Sequence, residues 1–213
     1  MLFLDLNVGP SIPLGDFSSK DANSNTSGYA IVGVKAQLGL GINFYKSLGF
    51  YISAFTDFNG TNPDNLTAKA NNLYPGNNFS ASSNSWNLYG GMVGLTYGID
   101  THKGILIDLK FTGGYLSAKS PEFSFTSSNG NFYKIDSKSA SSYTYCLSVG
   151  SRYYIIKNEL AITLAVEYMG SKPEFNNVNT TSSINGQVTQ NTVTFNRAID
   201  ALNIVTGVRY SIF

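Results

Sequence analysis

The chain has 213 residues, of which only 13% are charged, and its formal net charge is +1. This balance gives no reason to expect a nucleic-acid partner, and a single cysteine, Cys146, excludes an internal disulfide and any multi-cysteine metal site. Glycine (21), tyrosine (14) and phenylalanine (14) are abundant. This mixture favours strands and turns over helices.

Eight segments alternate apolar and polar residues with the period of two that indicates β-strands. In chain order they are 2–9, 29–45, 49–59, 86–99, 104–116, 142–156, 159–169 and 201–213. No segment shows the periodicity of an amphipathic helix, so no helix is predicted. No stretch approaches the roughly 18 to 20 consecutive apolar residues of a transmembrane helix. The chain is therefore predicted to be all-β.

Short and long connections alternate along the chain. Tight turns follow the second, fourth and sixth segments, with the sequences KSLG, DTHKG and KNE. The long, polar connections are 10–28, 60–85, 117–141 and 170–196. This alternation predicts an up-and-down meander with every long loop at one end. Two of the loops contain turn signals, SSNG at 127–130 and SINGQ at 183–187, and these are expected to form hairpin extensions.

An even number of meandering antiparallel strands closes naturally into a barrel. The barrel could be soluble, lipocalin-like or streptavidin-like with an apolar interior, or it could be a membrane barrel with an apolar exterior. The polar face repeats small residues such as Gly33, Gly39 and Gly41, which a water-facing strand does not need but a narrow lumen does. We therefore predict an eight-stranded antiparallel up-and-down transmembrane β-barrel with long extracellular loops and short periplasmic turns, in one domain over 1–213.

The lumen face of this predicted barrel carries four acidic and four basic residues. They are Asp5, Lys35, Asp57, Asp108, Lys110, Arg152, Glu167 and Arg209. Buried charges are costly unless they are paired, so equal numbers predict a salt-bridged network that plugs the lumen. The alternative is a gated ion or solute path through this network. A permanently open pore is disfavoured, because eight strands leave room only for side chains.

Three segments carry a resemblance to a known family: VGPSIPLGDF (8–17), VGVKAQLGLGINFY (32–45) and GVRYSIF (207–213). The chain resembles small eight-stranded outer-membrane β-barrel proteins of Gram-negative bacteria. It is most similar to the Bacteroidetes-type outer membrane protein beta-barrel domain, often labelled porin-family, with OmpA-, OmpX- and OmpW-like architecture. The resemblance covers essentially the whole chain and implies no single activity.

The resemblance implies a bacterial outer-membrane location, contact with outer-membrane lipid and insertion by the outer-membrane assembly machinery. That machinery recognises a last strand with an aromatic end, so the implied assembly signal is Tyr210, Ile212 and Phe213. Phe213 has the opposite parity to the other two residues. The opening residues, MLFLDLNVGP, show no secretory signal, so this location presumes that a signal peptide has been removed. From composition alone, a cytoplasmic location stays open.

Some related eight-stranded barrels are enzymes that modify lipid A, with a catalytic histidine and Ser or acidic partners near the outer leaflet. The single histidine of this chain, His102, lies in the DTHKG turn, which is predicted at the opposite end of the barrel. No hydrolase triad can be assembled around it. The sequence therefore predicts no enzyme and no cofactor.

The long loops are rich in Asn, Ser and Thr, and they also carry aromatic residues. These are Tyr74, Phe79, Phe123, Phe125, Phe132, Tyr133 and Phe175. Loops on a rigid scaffold often carry function, so these residues are candidate contacts for an extracellular or envelope protein, unless the loops are simply solvated. Three roles stay open: a structural or surface-interaction barrel, a conduit for small or hydrophobic solutes, and an accessory subunit of a secretion or assembly complex.

Overall fold

The structure is a computed structural model that describes residues 1–21, 23–24, 26–45, 47–73, 76, 78–101 and 104–212. In chain order, its elements are β1 (Leu2–Leu14), α1 (Gly15–Ser18), β2 (Ala30–Tyr45), β3 (Leu48–Thr61), α2 (Asp64–Leu73), β4 (Ser80–Ser83), β5 (Trp86–Asp100), β6 (Ile105–Lys119), β7 (Phe123–Thr126), β8 (Phe132–Ile135), β9 (Ser139–Ile156), β10 (Leu160–Ser171), β11 (Glu174–Ile184), β12 (Gln187–Asn196) and β13 (Ile199–Ile212). The predicted residues Tyr74, His102 and Phe213 lie outside the described residues.

The eight predicted strands close into one antiparallel barrel with the order β1-β13-β10-β9-β6-β5-β3-β2. The last strand closes the barrel against the first, with Ile212 opposite Leu2 and Asp200 opposite Leu14. The tight turns lie at one end, hereafter the turn end, and the long connections lie at the other, the loop end. The predicted all-β barrel with an up-and-down meander is confirmed.

The barrel reverses the usual distribution of side chains in a soluble protein. Large apolar residues of the barrel strands are exposed, with exposed fractions of 60% for Val32 and 59% for Val93. Asp5, Lys35 and Asp57 are instead fully buried inside the barrel. Soluble proteins almost never bury so many charges while exposing a continuous apolar surface. The alternation therefore places the apolar face outward, as a barrel in a lipid bilayer requires.

The two predicted hairpins belong to one larger sheet at the loop end. β7 pairs with β8, and β11 pairs with β12 across Asn185 and Gly186, both of which have positive φ angles. Positive φ at both central residues is typical of the type I′ turn that Asn-Gly favours. β4 adds to these strands, so three loops form one five-stranded sheet with the order β12-β11-β8-β7-β4. The sequence predicts the hairpins but not this joint sheet.

Two helices correct the expectation that the chain contains none. α1 has four residues and α2 has ten. Before α2, the side chain of Asn62 accepts a hydrogen bond from the Asp64 amide at 2.9 Å, and Pro63 follows it, as is common at the start of a helix. α2 buries no residue, although Leu66, Ala70 and Leu73 recur at helical spacing. No helix in the described part of the chain is long and apolar enough to cross a membrane.

Glycines on the lumen face leave room for aromatic side chains from neighbouring strands. A Cβ atom at Gly41 would overlap the ring of Phe3, which is fully buried. We expect Gly41→Ala to lower the free energy of unfolding by about 1–3 kcal/mol, as overpacking does. Urea unfolding in lipid vesicles measures this change. Gly91→Ala is the matched control, because its nearest neighbouring atom would be the carbonyl oxygen of Ser53 at 3.7 Å. An equal loss in both variants would contradict the close lumen packing.

Candidate functional site

Asp5 is the centre of a charge cluster inside the barrel near its turn end. Arg209 lies directly opposite Asp5 on the neighbouring strand. Arg209 donates two hydrogen bonds to the Asp5 carboxylate, from Nε at 2.6 Å and from Nη2 at 2.8 Å. Lys110 reaches the same carboxylate at 2.9 Å from β6, on the opposite side of the barrel. The Asp5 carboxylate thus links opposite walls of the barrel.

Asp108 extends this cluster to a third cation. Its Oδ2 atom lies 3.1 Å from Nη1 of Arg209, and its Oδ1 atom lies 3.4 Å from Nη2 of Arg152. The five residues Asp5, Asp108, Lys110, Arg152 and Arg209 form what we call the turn-side cluster. It contains three cations and two carboxylates. One positive charge therefore has no carboxylate of its own.

Aromatic rings also contact the cations of the turn-side cluster. The guanidinium carbon of Arg209 lies 3.9 Å from the ring centroid of Phe3, and Nζ of Lys110 lies 4.1 Å from that of Tyr51. Such cation–π contacts attract more strongly when water is excluded. The glycines opposite these rings, Gly41 and Gly39, provide the space that they occupy.

A second group of charges, the middle cluster of Lys35, Asp57 and Glu167, lies nearer the loop end. Nζ of Lys35 lies 2.6 Å from Oε2 of Glu167, and both side chains are buried. Asp57 accepts a hydrogen bond from the Ser11 hydroxyl at 2.7 Å. Within the described ranges it makes no ion pair, and its Oδ1 atom has no hydrogen-bond partner. All eight charges predicted for the lumen thus lie inside the barrel, and ion pairs join all of them except Asp57.

A large apolar cluster lies in the loop-side half of the lumen, on the strand face for which the sequence predicts polar and small residues. Its largest side chain, Trp86, is 2% exposed and makes edge contacts with Phe17 and Phe175 at centroid distances of 5.5 and 5.8 Å. The indole Nε1 donates to the carbonyl of Gly28 at 2.9 Å. We call this apolar cluster the cap. It consists of Phe17, Ala30, Phe55, Trp86, Leu88, Met92, Leu116, Ala118, Cys146, Met169, Phe175, Val178 and Ile199.

The sequence does not predict the cap, because loops that fold over the barrel mouth exclude its side chains from both water and lipid. Phe17 on α1 and Phe175 at the start of β11 come from such loops. One signal was available in the sequence. Trp86, Leu88 and Leu116 have the parity of the lumen face, yet they are too large and apolar for a polar interior.

The aromatic residues predicted as loop contacts do not form one exposed surface. Phe175 is fully buried and stacks on Phe195, with 5.1 Å between the ring centroids, and Phe125 is also buried. These two side chains pack within the loop-end structure and present no surface to a partner, so the predicted contact role is wrong for them. Phe79, Phe123 and Phe132 are half-buried, and Tyr133 is 41% exposed.

Tyr210 and Ile212, predicted as part of the assembly signal, lie exposed on the barrel exterior, opposite Leu4 and Leu2.

Two ionisable side chains of the loop end are perturbed by burial. Burial raises the pKa of Tyr29 above its ordinary value and lowers the pKa of Arg197. Tyr29 therefore keeps its proton at neutral pH and donates a hydrogen bond to the carbonyl of Asp21 at 3.0 Å. Arg197 lies with its guanidinium carbon 5.2 Å from the ring centroid of Phe195.

Among the described residues, no group of three or more His, Cys, Asp or Glu is arranged to hold a metal ion.

Comparison with known proteins supports the fold. No family model matches the sequence, and no curated protein matches it. The solved structure of neisserial surface protein A is similar over 99% of this chain and 97% of that chain, with 12% identity and a TM-score of 0.54. A major outer membrane protein from Thermus thermophilus is similar over 98% of each chain, with 11% identity and a TM-score of 0.52. The chain has the fold of a small eight-stranded outer-membrane β-barrel.

Proposed function

We propose that the chain is an integral outer-membrane barrel that binds an extended segment of an extracellular protein through its loop-end sheet. The apolar exterior and the fold shared with outer-membrane proteins support this location. In this orientation the turn end faces the periplasm and the loop end faces outward. The filled barrel would then serve as a rigid scaffold that fixes the sheet above the membrane.

The observation that carries this proposal is the open edge of β12. The strand has ten residues, and the described part of the chain pairs it with β11 alone. It contains no charged residue and no proline, and almost all of it is exposed. Natural sheets usually protect such edges with charges, prolines or bulges. The irregularity recorded in its pairing lies on β11, between Phe175 and Val178, so the outer side of β12 still offers main-chain hydrogen bonds to an added strand.

The contents of the lumen support a scaffold role over a conduit. A solute would have to displace the cap at the loop end, then the Lys35–Glu167 pair, and then the Asp5–Arg209 pair. We expect planar-bilayer recordings of the folded protein to show no conductance above the lipid baseline. Steady conductance steps would favour the solute-conduit alternative.

Strand addition can be tested with a synthetic peptide that has the β12 sequence QVTQNTVTFN, used as a probe of the open edge. We expect this peptide to bind saturably to the barrel in nanodiscs. A peptide N-methylated at alternate residues should bind at least about tenfold more weakly, because it cannot complete the main-chain hydrogen bonds.

Charges placed on the strand provide a second arm of the experiment. The double variant Thr189→Lys with Asn191→Lys should weaken peptide binding, because lysines on an edge strand oppose pairing. Asn72→Lys with Leu73→Lys adds the same charge to exposed positions on α2 and should leave binding unchanged. Equal binding of both peptides, or equal effects of both double variants, would refute recognition through the β12 edge.

A further inference from the structure

Arg152 is the cation of the turn-side cluster with the longest ion-pair contact, and its guanidinium carbon lies 5.8 Å from the ring centroid of Tyr154. Its side chain is 6% exposed, and its one ion pair in the described part of the chain is the 3.4 Å contact with Asp108. The Nε and Nη1 atoms of its guanidinium have no hydrogen-bond partner. Buried donors without acceptors are rare in native proteins because each carries a desolvation cost. The guanidinium therefore has two donors available to an additional acceptor.

The charges around Arg152 favour a negatively charged acceptor. Both oxygens of Asp5 are already bound by Arg209 and Lys110. Asp108 is shared between Arg209 and Arg152. Three cations thus share two carboxylates, and one added anion would balance the cluster.

A cavity of about 650 Å³ opens beside Arg152 at the turn end. Its polar lining includes Asn43, Ser47 and the exposed amine of Lys157. Asp100 also lines it, but that carboxylate is exposed, so its repulsion is screened by water. The cavity is large enough to hold a polar group of several heavy atoms.

We propose that this cavity binds an oxyanionic phosphate group, with the Arg152 guanidinium as its principal ligand. Guanidinium groups are preferred ligands for phosphate, because they are always charged and weakly hydrated. Arg152 would donate from Nε or Nη1 while Nη2 keeps its contact with Asp108. Lys157 would contribute a second, solvated positive charge at the cavity edge.

The position of the cavity allows two sources for this phosphate. Tyr153 and Ile155 also line the cavity, and both lie exposed on the apolar exterior of β9. The cavity therefore extends from the lumen mouth across the rim to the lipid-facing wall. A phospholipid could place its phosphodiester beside Arg152 and its acyl chain along this wall. Free phosphate could enter the same cavity from the aqueous side.

The experiment follows the Nε–H resonance of Arg152 by nitrogen-15 NMR, with the full chain folded in an uncharged maltoside detergent. The probes are inorganic phosphate, a short-chain phosphatidylglycerol and a galactolipid that lacks phosphate. We expect a saturable shift with a phosphate-containing probe and none with the galactolipid. A response to phosphatidylglycerol alone identifies a lipid phosphodiester, and a response to inorganic phosphate identifies a site open to the soluble ion.

Substitutions separate a specific site from general charge attraction. Arg152→Gln should abolish retention of the responding probe. Because this variant lacks the Nε–H resonance, native mass spectrometry measures the retention instead. Lys157→Gln should reduce affinity by no more than about threefold, as is usual for a solvated charge. If Arg152→Gln does not fold, Arg152→Lys preserves the charge but not the planar donor set, and we expect it to weaken binding by about tenfold or more. The absence of a shift with both phosphate probes, or unchanged retention in the folded arginine variant, would overturn the proposal.

Discussion

Replacing Asp5 with alanine should lower the free energy of unfolding by about 3–5 kcal/mol, the cost of removing one partner from a buried ion network. Asp5 accepts two hydrogen bonds from Arg209 and one from Lys110. Without it, Asp108 is the one carboxylate left in the turn-side cluster to balance three cations. Arg209 is almost fully buried and the side chain of Lys110 is 11% exposed, so water compensates little for the lost carboxylate. Arg209 would keep its contact with Asp108, but Lys110 would lose the carboxylate with which it pairs, so much of their desolvation cost would be uncompensated.

Urea unfolding in vesicles, followed by the fluorescence of the single tryptophan, measures this change. Asp136→Ala is the matched control. Asp136 pairs with Lys134 at 3.2 Å, and both side chains are more than a third exposed. Such a surface pair contributes at most about 1 kcal/mol. If the Asp5 variant lost no more stability than this control, the turn-side cluster would not hold the barrel walls together.

Replacing Trp86 with alanine should cost about 3–5 kcal/mol, as is typical for a large buried aromatic side chain. The variant loses the ring contacts with Phe17 and Phe175 and the hydrogen bond to Gly28. Because Phe17 and Gly28 belong to the loop that connects β1 and β2, we also expect this loop to become sensitive to added protease. The charge clusters below the cap remain, so no conductance should appear.

The loss can be measured by circular dichroism or by the heat-dependent shift in gel migration. Trp86→Phe preserves a buried ring and loses the indole hydrogen bond, so it should cost only about 1 kcal/mol. Leu73→Ala removes an exposed side chain of α2, and its effect should stay within about 0.5 kcal/mol. A Trp86→Ala protein as stable and protease-resistant as the Leu73 control would show that the cap does not anchor the loops.

The barrel was predictable because strand alternation is local and survives any arrangement of the loops. The alternation within each strand places Asp5, Lys35 and Arg209 on the polar face of the sheet, whatever conformation the loops adopt. The inward direction of that side could be inferred from Gly39 and Gly41, whose small size suits a narrow lumen.

The cap and the loop-end sheet were not predictable in the same way, because they depend on contacts between distant loops. Phe175 resembles an exposed loop aromatic in the sequence, but it stacks on Phe195 and contacts Trp86 in the structure. β4 has the sequence SASS and no strand signal of its own. It becomes a strand because β7 from another loop pairs with it. α2 differs from these elements, because its start carries a local signal in Asn62 and Pro63 that a search for alternating or amphipathic segments does not use.

The central claim is that the apolar face of the barrel contacts lipid while the charged face fills the lumen. Phe111 tests it well, because its exposed side chain lies on β6 opposite Leu95 and Leu147. A tryptophan should be placed there by Phe111→Trp together with Trp86→Phe, which leaves it as the one tryptophan of the chain. In vesicles with bromine on the acyl chains, we expect its fluorescence to be quenched strongly, and aqueous acrylamide should quench it little. Strong quenching by acrylamide with none by the brominated lipid would contradict the inverted barrel.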